Sequence, residues 1–373
     1  KAPVFAAGEG LHLELTNRSY DVIVAEPSNP WMAGISNLFT KEADQVAQRH
    51  LGPGGICTQW IHTYNFTSAE YTLIARTLLE VFPHCALIRI SSSDTLLLAS
   101  ERSLIPGLEE IRAAQQLVDE SPAVSEDLEV LFNTKDAATL LLKNYLMPEE
   151  TIRRFIESEK QTYLNTDISL RLEYTAPLQL FIPQEWQENV DKTLIGAADP
   201  TWWLERFRDW NGTSQQASAL KAWIRRLLEN DYNDRCKDLL AFTLNLIPDD
   251  PYLLAENLYY SLDNPSEFDR ILARLIPLST DEAYRVALVL RDKKHIAQAA
   301  KVLEKVVEQR PSWATAWTYL ALCYSDMNLL KEADEKFAKA MMADPNNPFL
   351  VEKYQAYQKI HSPNVKNIKN VMQ

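Results

Sequence analysis

The chain has 373 residues, 46% hydrophobic and 24% charged, which fits a globular protein of two or three domains. With 51 Asp and Glu against 38 Lys and Arg, the net charge of −13 argues against nucleic-acid binding. No apolar run reaches the roughly 18 residues of a membrane span, the four cysteines form no CxxC pair, and the nine glycines make neither GxGxxG nor GxxxxGKS.

The charge is uneven. Residues 101–200 carry 9 basic and 19 acidic side chains, whereas residues 201–373 carry 23 of each. The acidic stretch reads either as a solvated helical surface or as a rim that attracts a cationic substrate. The first residue is Lys1 and a strand-like run follows soon after, so the chain reads as a fragment or processed form whose start is missing.

In chain order, Tyr20–Ala25 is an apolar, β-branched run that predicts a buried parallel strand. Glu26-Pro27-Ser28-Asn29-Pro30-Trp31 then predicts a rigid loop, because two prolines forbid further strand or helix. Ligands of open α/β sheets bind at such strand ends. A helix from Phe39 to Leu51, capped near Thr40, ends at Gly52-Pro53-Gly54-Gly55, which turns the chain into a strand from Ile56 to Ile61. Thr67-Ser68-Ala69-Glu70 fits a capping box and opens a helix to about Phe82. His84–Ile90 and Thr95–Ala99 predict an antiparallel hairpin. His50, Cys57 and His62 match no metal-ligand spacing, so no metal site is expected.

These residues together resemble the spermidine synthase family. The resemblance rests on Tyr20–Trp31, on Asn37-Leu38-Phe39-Thr40-Lys41-Glu42, on Leu51–Ile56 and on Gln59-Trp60. It covers roughly residues 4–100 and looks most like the members often fused to a transporter-like membrane segment. It implies the class I S-adenosylmethionine-dependent methyltransferase fold, a Rossmann-like sheet of which this chain would hold the C-terminal part. It also implies aminopropyl transfer to putrescine, a polyamine or other small cationic substrate, with decarboxylated S-adenosylmethionine as donor; a methyltransferase using S-adenosylmethionine is a variant of the same reading. The family's glycine-rich cofactor loop would lie upstream of Lys1, so this chain alone is expected to bind S-adenosyl compounds weakly. Glu9, in Gly8-Glu9-Gly10, corresponds to an acidic residue near the adenine, and Glu26 and Pro27 stand at the cofactor-side loop. Glu26 and Asn29 occupy the two carboxylate positions of the family's catalytic loop. Asn29, an amide, has no basicity to remove an ammonium proton, which puts aminopropyl transfer in doubt. Gln59, Trp31 and Tyr64 are the candidate substrate-binding residues, with Trp60 beside them. The resemblance further implies a cytoplasmic placement, tethered to the inner face of the membrane where such a segment precedes the chain.

Residues 103–160 read as mostly helical and acidic, broken by Pro106, Pro122 and Pro148. Asp167 and Glu173, in Leu164–Asp167 and Leu172–Pro177, read either as a closure over the site or as a capping turn plus edge strand. From about residue 215 the period changes. Trp317, Leu320, Ala321, Tyr324, Ala333, Phe337, Ala340 and Pro345 fall on the tetratricopeptide pattern. A copy 34 residues earlier has Ala283, Val286, Ala287, Leu290, Ala299, Leu303, Val306 and Pro311, and two weaker units run from about Leu220 to Pro248 and Pro251 to Pro277. Such a solenoid offers a groove for a protein or peptide partner.

The expected organisation is α/β followed by all-α. It comprises a partial synthase-like domain at 1–102, an acidic extension at 103–200, tetratricopeptide-like repeats at 201–361 and a tail at 362–373. Two functions remain: a spermidine synthase-like transferase fused to a partner-docking repeat domain, or a non-catalytic scaffold built on a degenerate synthase fold.

Overall fold

The structure, a computed structural model, describes residues 13, 16–27, 29–203 and 213–361. Glu9, Ser28 and the expected tail lie outside the described residues. The chain divides into two compact units, Lys1–Asn233 and Asp234–Gln373.

The first unit holds a five-stranded sheet in the order β1-β2-β4-β3-β5. Strand β1 (Tyr20–Ala25) pairs in parallel with β2 (Leu51–His62). The hairpin of β3 (His84–Arg89) and β4 (Asp94–Ser100) continues the sheet antiparallel. Strand β5 (Tyr145–Pro148) closes the far edge against β3. A strand at Tyr145 was not expected in a stretch read as mostly helical; four residues are too few for a periodic signal, and only pairing with β3 makes them a strand.

Gly52-Pro53-Gly54-Gly55 lies inside β2 rather than ahead of it. The register jumps from Tyr20↔Leu51 to Val22↔Ile56, so the glycines bulge out of the ladder. Gly54 sits at φ 74°, and a Cβ on Gly55 would meet the carbonyls of Gly52 and Asp21 at 3.0 and 3.1 Å. These two positions require glycine.

β1 is the other edge among the described residues, and Val22 and Val24 on it are 45% exposed, unlike the buried strand expected. The helix Lys41–Arg49 is capped by the Thr40 hydroxyl on Ala43 N–H. The helix Ser68–Val81 begins with the capping box of Thr67 and Glu70. Leu172–Pro177 forms a short helix, Arg171–Thr175, and the start of a 3₁₀ stretch, Ala176–Phe181, not an edge strand. The buried Asn165 fastens this segment. Its amide nitrogen donates to the carbonyls of Ser36 and Phe39, at 3.1 Å each, and its side-chain oxygen accepts from Leu172 N–H.

The helix Thr213–Glu229, expected to open the repeats, belongs to the first unit. The Trp223 indole donates to the Leu142 carbonyl, and the buried Arg226 donates to Lys143 O and Asn144 Oδ1. Burial and the nearby Arg89 guanidinium lower the Arg226 pKa to about 10.

The second unit is a run of antiparallel helices. Thr280–Asp292 and Ile296–Gln309 recur as Ala314–Asp326 and Leu330–Ala343, each 34 residues on. Pro251–Tyr260 pairs with Pro265–Leu278, and Pro348–His361 follows the last pair. Ala283, Ala287, Ala299, Ala321, Ala333 and Ala340 are fully buried, where small side chains let paired helices approach closely. The turn inside each 34-residue pair uses a left-handed residue, Lys294 at φ 69° and Asn328 at φ 62°. The next N–H then closes back on the helix, His295 onto Leu290 O and Leu329 onto Tyr324 O, the Schellman arrangement. Among the described residues no helix is long and apolar enough to cross a membrane.

Candidate functional site

The sequence-predicted site residues of the first unit gather at the carboxyl ends of β1 and β2. Pro27 and Pro30 are buried and anchor the loop after β1, while Glu26 is exposed. The loop turns at once, with Met32 N–H donating to Asn29 O at 3.0 Å. The turn brings Asn29 and Trp31 toward the end of β2, where the Tyr64 hydroxyl donates to Asn29 Oδ1 at 3.4 Å.

β2 alternates faces residue by residue, so Trp60 and His62 share one face and Gln59 points to the other. The Gln59 amide nitrogen donates to Leu38 O at 3.1 Å, in the turn Ile35–Phe39. The structure therefore brings Asn29, Trp31 and Tyr64 together and sets Gln59 apart from them. Glu9 lies outside the described residues.

The centre of this cluster is His62, which the sequence reading treated only as a failed metal ligand. Its ring lies 4.8 Å from that of Trp31, 5.4 Å from Trp60, 4.7 Å from Tyr64 and 4.9 Å from Phe66. His62 is 1% exposed, and its Nε2 has no hydrogen-bond partner among the described residues. Burial lowers its pKa to about 4, against a smaller upward pull from the Asp94 carboxylate. The imidazole is therefore neutral at pH 7. Burial tends to raise the Asp94 pKa, but hydrogen bonds from Ser91, Ser93 and Trp60 outweigh it and leave the carboxyl below its ordinary value. The signal in the sequence was Trp60-Ile61-His62-Thr63-Tyr64, whose alternation puts three ring-bearing residues on one face of a strand end. Among the described residues, no three His, Cys, Asp or Glu side chains are grouped to hold a metal ion.

The clamped segment brings Glu173 to the same loop region and Asp167 to the helix that follows it. The Glu173 carboxylate accepts from Gly34 N–H at 3.0 Å and from the Ser36 hydroxyl at 2.5 Å. Asp167 N–H donates to Glu42 Oε2.

In the second unit, half-buried rings form a row along the first helices of successive pairs. Tyr284 lies 4.4 Å from Trp313 and 6.0 Å from Tyr319, and Tyr319 lies 4.9 Å from Phe349. Arg310 stacks 4.1 Å over Trp313 while pairing with Asp281, and Arg291 lies 5.9 Å over Tyr319 while pairing with Asp326. Burial pushes the Tyr284 phenol up to about 12.

No protein-family model matches the chain, and no curated protein matches it. Among solved structures the chain is similar to YrrB, described as a TPR protein with an unusual peptide-binding site. That match is 17% identical, covers 44% of this chain and 82% of the other, and has a TM-score of 0.28. It is similar also to residues 41 to the end of MamA from Desulfovibrio magneticus RS-1, at 20% identity, 40% and 97% coverage and a TM-score of 0.25. A third is the human IFIT1 dimer with PPP-AAAA, at 16% identity, 68% and 57% coverage and a TM-score of 0.28. The second unit is read as tetratricopeptide-like on its 34-residue helix spacing and on the burial of Trp317, Leu320, Ala321, Ala333, Phe337 and Ala340, independently of these superpositions.

Proposed function

We propose that this chain is a protein-interaction scaffold. Its second unit, a helix array of tetratricopeptide type, takes a protein or peptide partner along the row of first helices, and its first unit is a degenerate synthase-like fold. One observation carries the reading: Tyr284, Trp313, Tyr319 and Phe349 form a continuous aromatic row that is half-exposed, in an array whose small signature residues are spent on core. Aromatic anchors on a rigid surface are the residues that dominate interface energies. The test is to select peptides against the chain from a displayed library and measure their affinity for Trp313→Ala and Tyr319→Ala. Losses of about tenfold or more are expected for each; unchanged affinities in both variants would refute the assignment.

A second reading, a transferase acting on a polyamine or other small cationic substrate, has support of its own. The parallel β1/β2 pair continued by an antiparallel hairpin suits the C-terminal part of a methyltransferase-like sheet. Trp31, Tyr64 and the exposed Glu26 carboxylate would suit an ammonium group. Against it, Asn29 stands in the base position as an amide, with its Oδ1 engaged by Tyr64. Of the residues given to S-adenosylmethionine or its decarboxylated form, Glu26 supplies one carboxylate and Pro27 no polar side chain. That set does not by itself fit the cofactor. Calorimetric titration should detect no tight S-adenosyl binding by this chain, and micromolar affinity would place the transferase reading first.

A further inference from the structure

We propose that the helix Pro122–Phe132 of the first unit is a docking surface for a cationic amphipathic helix of a partner protein, a site separate from the aromatic row of the repeats. No residue of this 11-residue helix is buried. Its position is nevertheless fixed. It packs against the helix Leu108–Glu120, whose Ile111 and Val118 are buried. The Gln115 side chain of that helix donates to Lys135 O and accepts from Ala137 N–H, which ties down the chain just beyond. Asn133, left-handed at φ 53°, ends the helix with its N–H on Glu129 O.

The exposed side of this helix is apolar. At 3.6 residues per turn, Val130, Ala123, Asp127, Leu131, Val124 and Leu128 follow one another around an arc of about 160°, with Asp127 as its one polar member. An apolar stripe of about 100° or more is the mark of a core-facing helix. Here Val130 is 78% exposed, Leu131 71% and Val124 44%, and Leu128 alone of the larger side chains is half-buried. A helix of 11 residues is marginal in water unless its apolar face is packed. Its length, about 16 Å, matches the span of one partner helix with anchors at i, i+3 or i+4, and i+7.

Charge decides the partner. Residues 108–132 carry seven acidic side chains against one basic, Arg112, and Arg112 pairs with Glu109. Lys135 answers Glu129. Asp119, Glu120, Glu126 and Asp127 make no ion pair among the described residues. On the helix period Asp127 lies inside the apolar arc and Glu126 borders it beside Val130. A second copy would bring the same excess of carboxylate, and an anionic bilayer or a nucleic acid would be repelled in the same way. A helix with apolar anchors flanked by Lys or Arg suits both the stripe and its rim. The stripe supplies the affinity, and the exposed charges select the partner.

The probe is a synthetic amphipathic peptide of Leu and Lys, about four turns long, labelled and titrated with the full chain by fluorescence anisotropy. Micromolar binding is expected, weakening as salt rises. A peptide of the same composition with its stripe scrambled should bind about tenfold more weakly or worse, and so should the Leu/Lys peptide to the double variant Val130→Gln, Leu131→Gln. The double variant Glu126→Lys, Asp127→Lys should weaken the Leu/Lys peptide and gain affinity for its Leu/Glu counterpart. Trp313→Ala should change nothing. Circular dichroism checks that each variant is folded; if Val130→Gln, Leu131→Gln is not, the charge reversal decides. The proposal is overturned by no binding up to about 100 μM, by a scrambled peptide that binds as well, or by affinity indifferent to either double variant. Loss of binding on Trp313→Ala overturns it as well, and supports the repeat row as the peptide site instead. So does a dimer of the chain alone that Val130→Gln, Leu131→Gln abolishes, which would make a second copy the occupant.

Discussion

Protonating His62 must cost the first unit stability, and the cost follows from its surroundings. The imidazole is buried among Trp31, Trp60, Tyr64 and Phe66, and its pKa falls from 6.5 to about 4. A folded-state pKa below the unfolded one means that the unfolded chain binds the proton first. The stabilising contribution is therefore complete above the unfolded pKa and is lost progressively as the pH falls from 6.5 toward 4. A shift of about 2.5 units sets a limit near 3.4 kcal/mol, of which roughly 2.5 kcal/mol is lost between pH 7 and pH 4.5. Two carboxyls act with the opposite sign. Burial raises the pKa of both Asp44 and Glu70, so each favours the folded state as the pH falls. The bare pH dependence of the wild type is thus a sum, and the difference between wild type and His62→Phe isolates the imidazole. Urea unfolding of the first unit, followed by near-ultraviolet circular dichroism at pH 7.5, 6, 5 and 4.5, supplies that difference. The wild type should lose about 2–3 kcal/mol relative to His62→Phe over this range. Parallel curves, or an imidazole proton resonance titrating near the ordinary histidine pKa, would refute the argument.

Asn165→Leu should destabilise the first unit by about 2–4 kcal/mol, because it leaves the carbonyls of Ser36 and Phe39 and the N–H of Leu172 buried without partners; a change below about 0.5 kcal/mol in urea unfolding would contradict that. Asp191→Ala should cost about 3–5 kcal/mol, since it strands the Arg89 guanidinium that now makes two bonds of 2.6 and 2.8 Å to the carboxylate; thermal unfolding reads the loss. Lys294→Gly should stabilise the second unit by about 0.5–1 kcal/mol, because the position is left-handed at φ 69°, and a lowered melting temperature would count against it. Residues 234–361, expressed alone, should give a helical spectrum and a cooperative melt, since their core lies within the array.

The repeats were legible in the sequence to a degree the sheet was not. Their core depends on nearest-neighbour helix contacts at a fixed period, so the eight-position pattern and its 34-residue copy located Ala283, Ala287, Ala321 and Ala333. The local elements of the first unit were legible for a similar reason. A capping box at Thr67 and a hydroxyl cap at Thr40 are satisfied within three residues of chain. The two prolines hold the loop of Asn29 at the end of β1, but its Tyr64 neighbour comes from the turn after β2 and is set by the tertiary structure.

What the sequence did not determine is whatever needs partners distant along the chain. Tyr145–Pro148 is a strand only because β3 lies beside it, and the glycine bulge exists only because β1 fixes the register on either side. The Arg171–Thr175 segment reads as strand or closure from composition, yet Gly34 and Ser36, 139 and 137 residues from Glu173, together with the nearby Asn165 pin it as a helix. The helix Thr213–Glu229 has the periodicity of a repeat helix, and Leu142 and Lys143 decide that it packs with the sheet unit instead. His62 shows the same division. Its strand face follows from period-two alternation, but its neutrality and its unpartnered Nε2 come from desolvation by rings drawn from two loops and a strand, a property of the assembled site that no local pattern encodes.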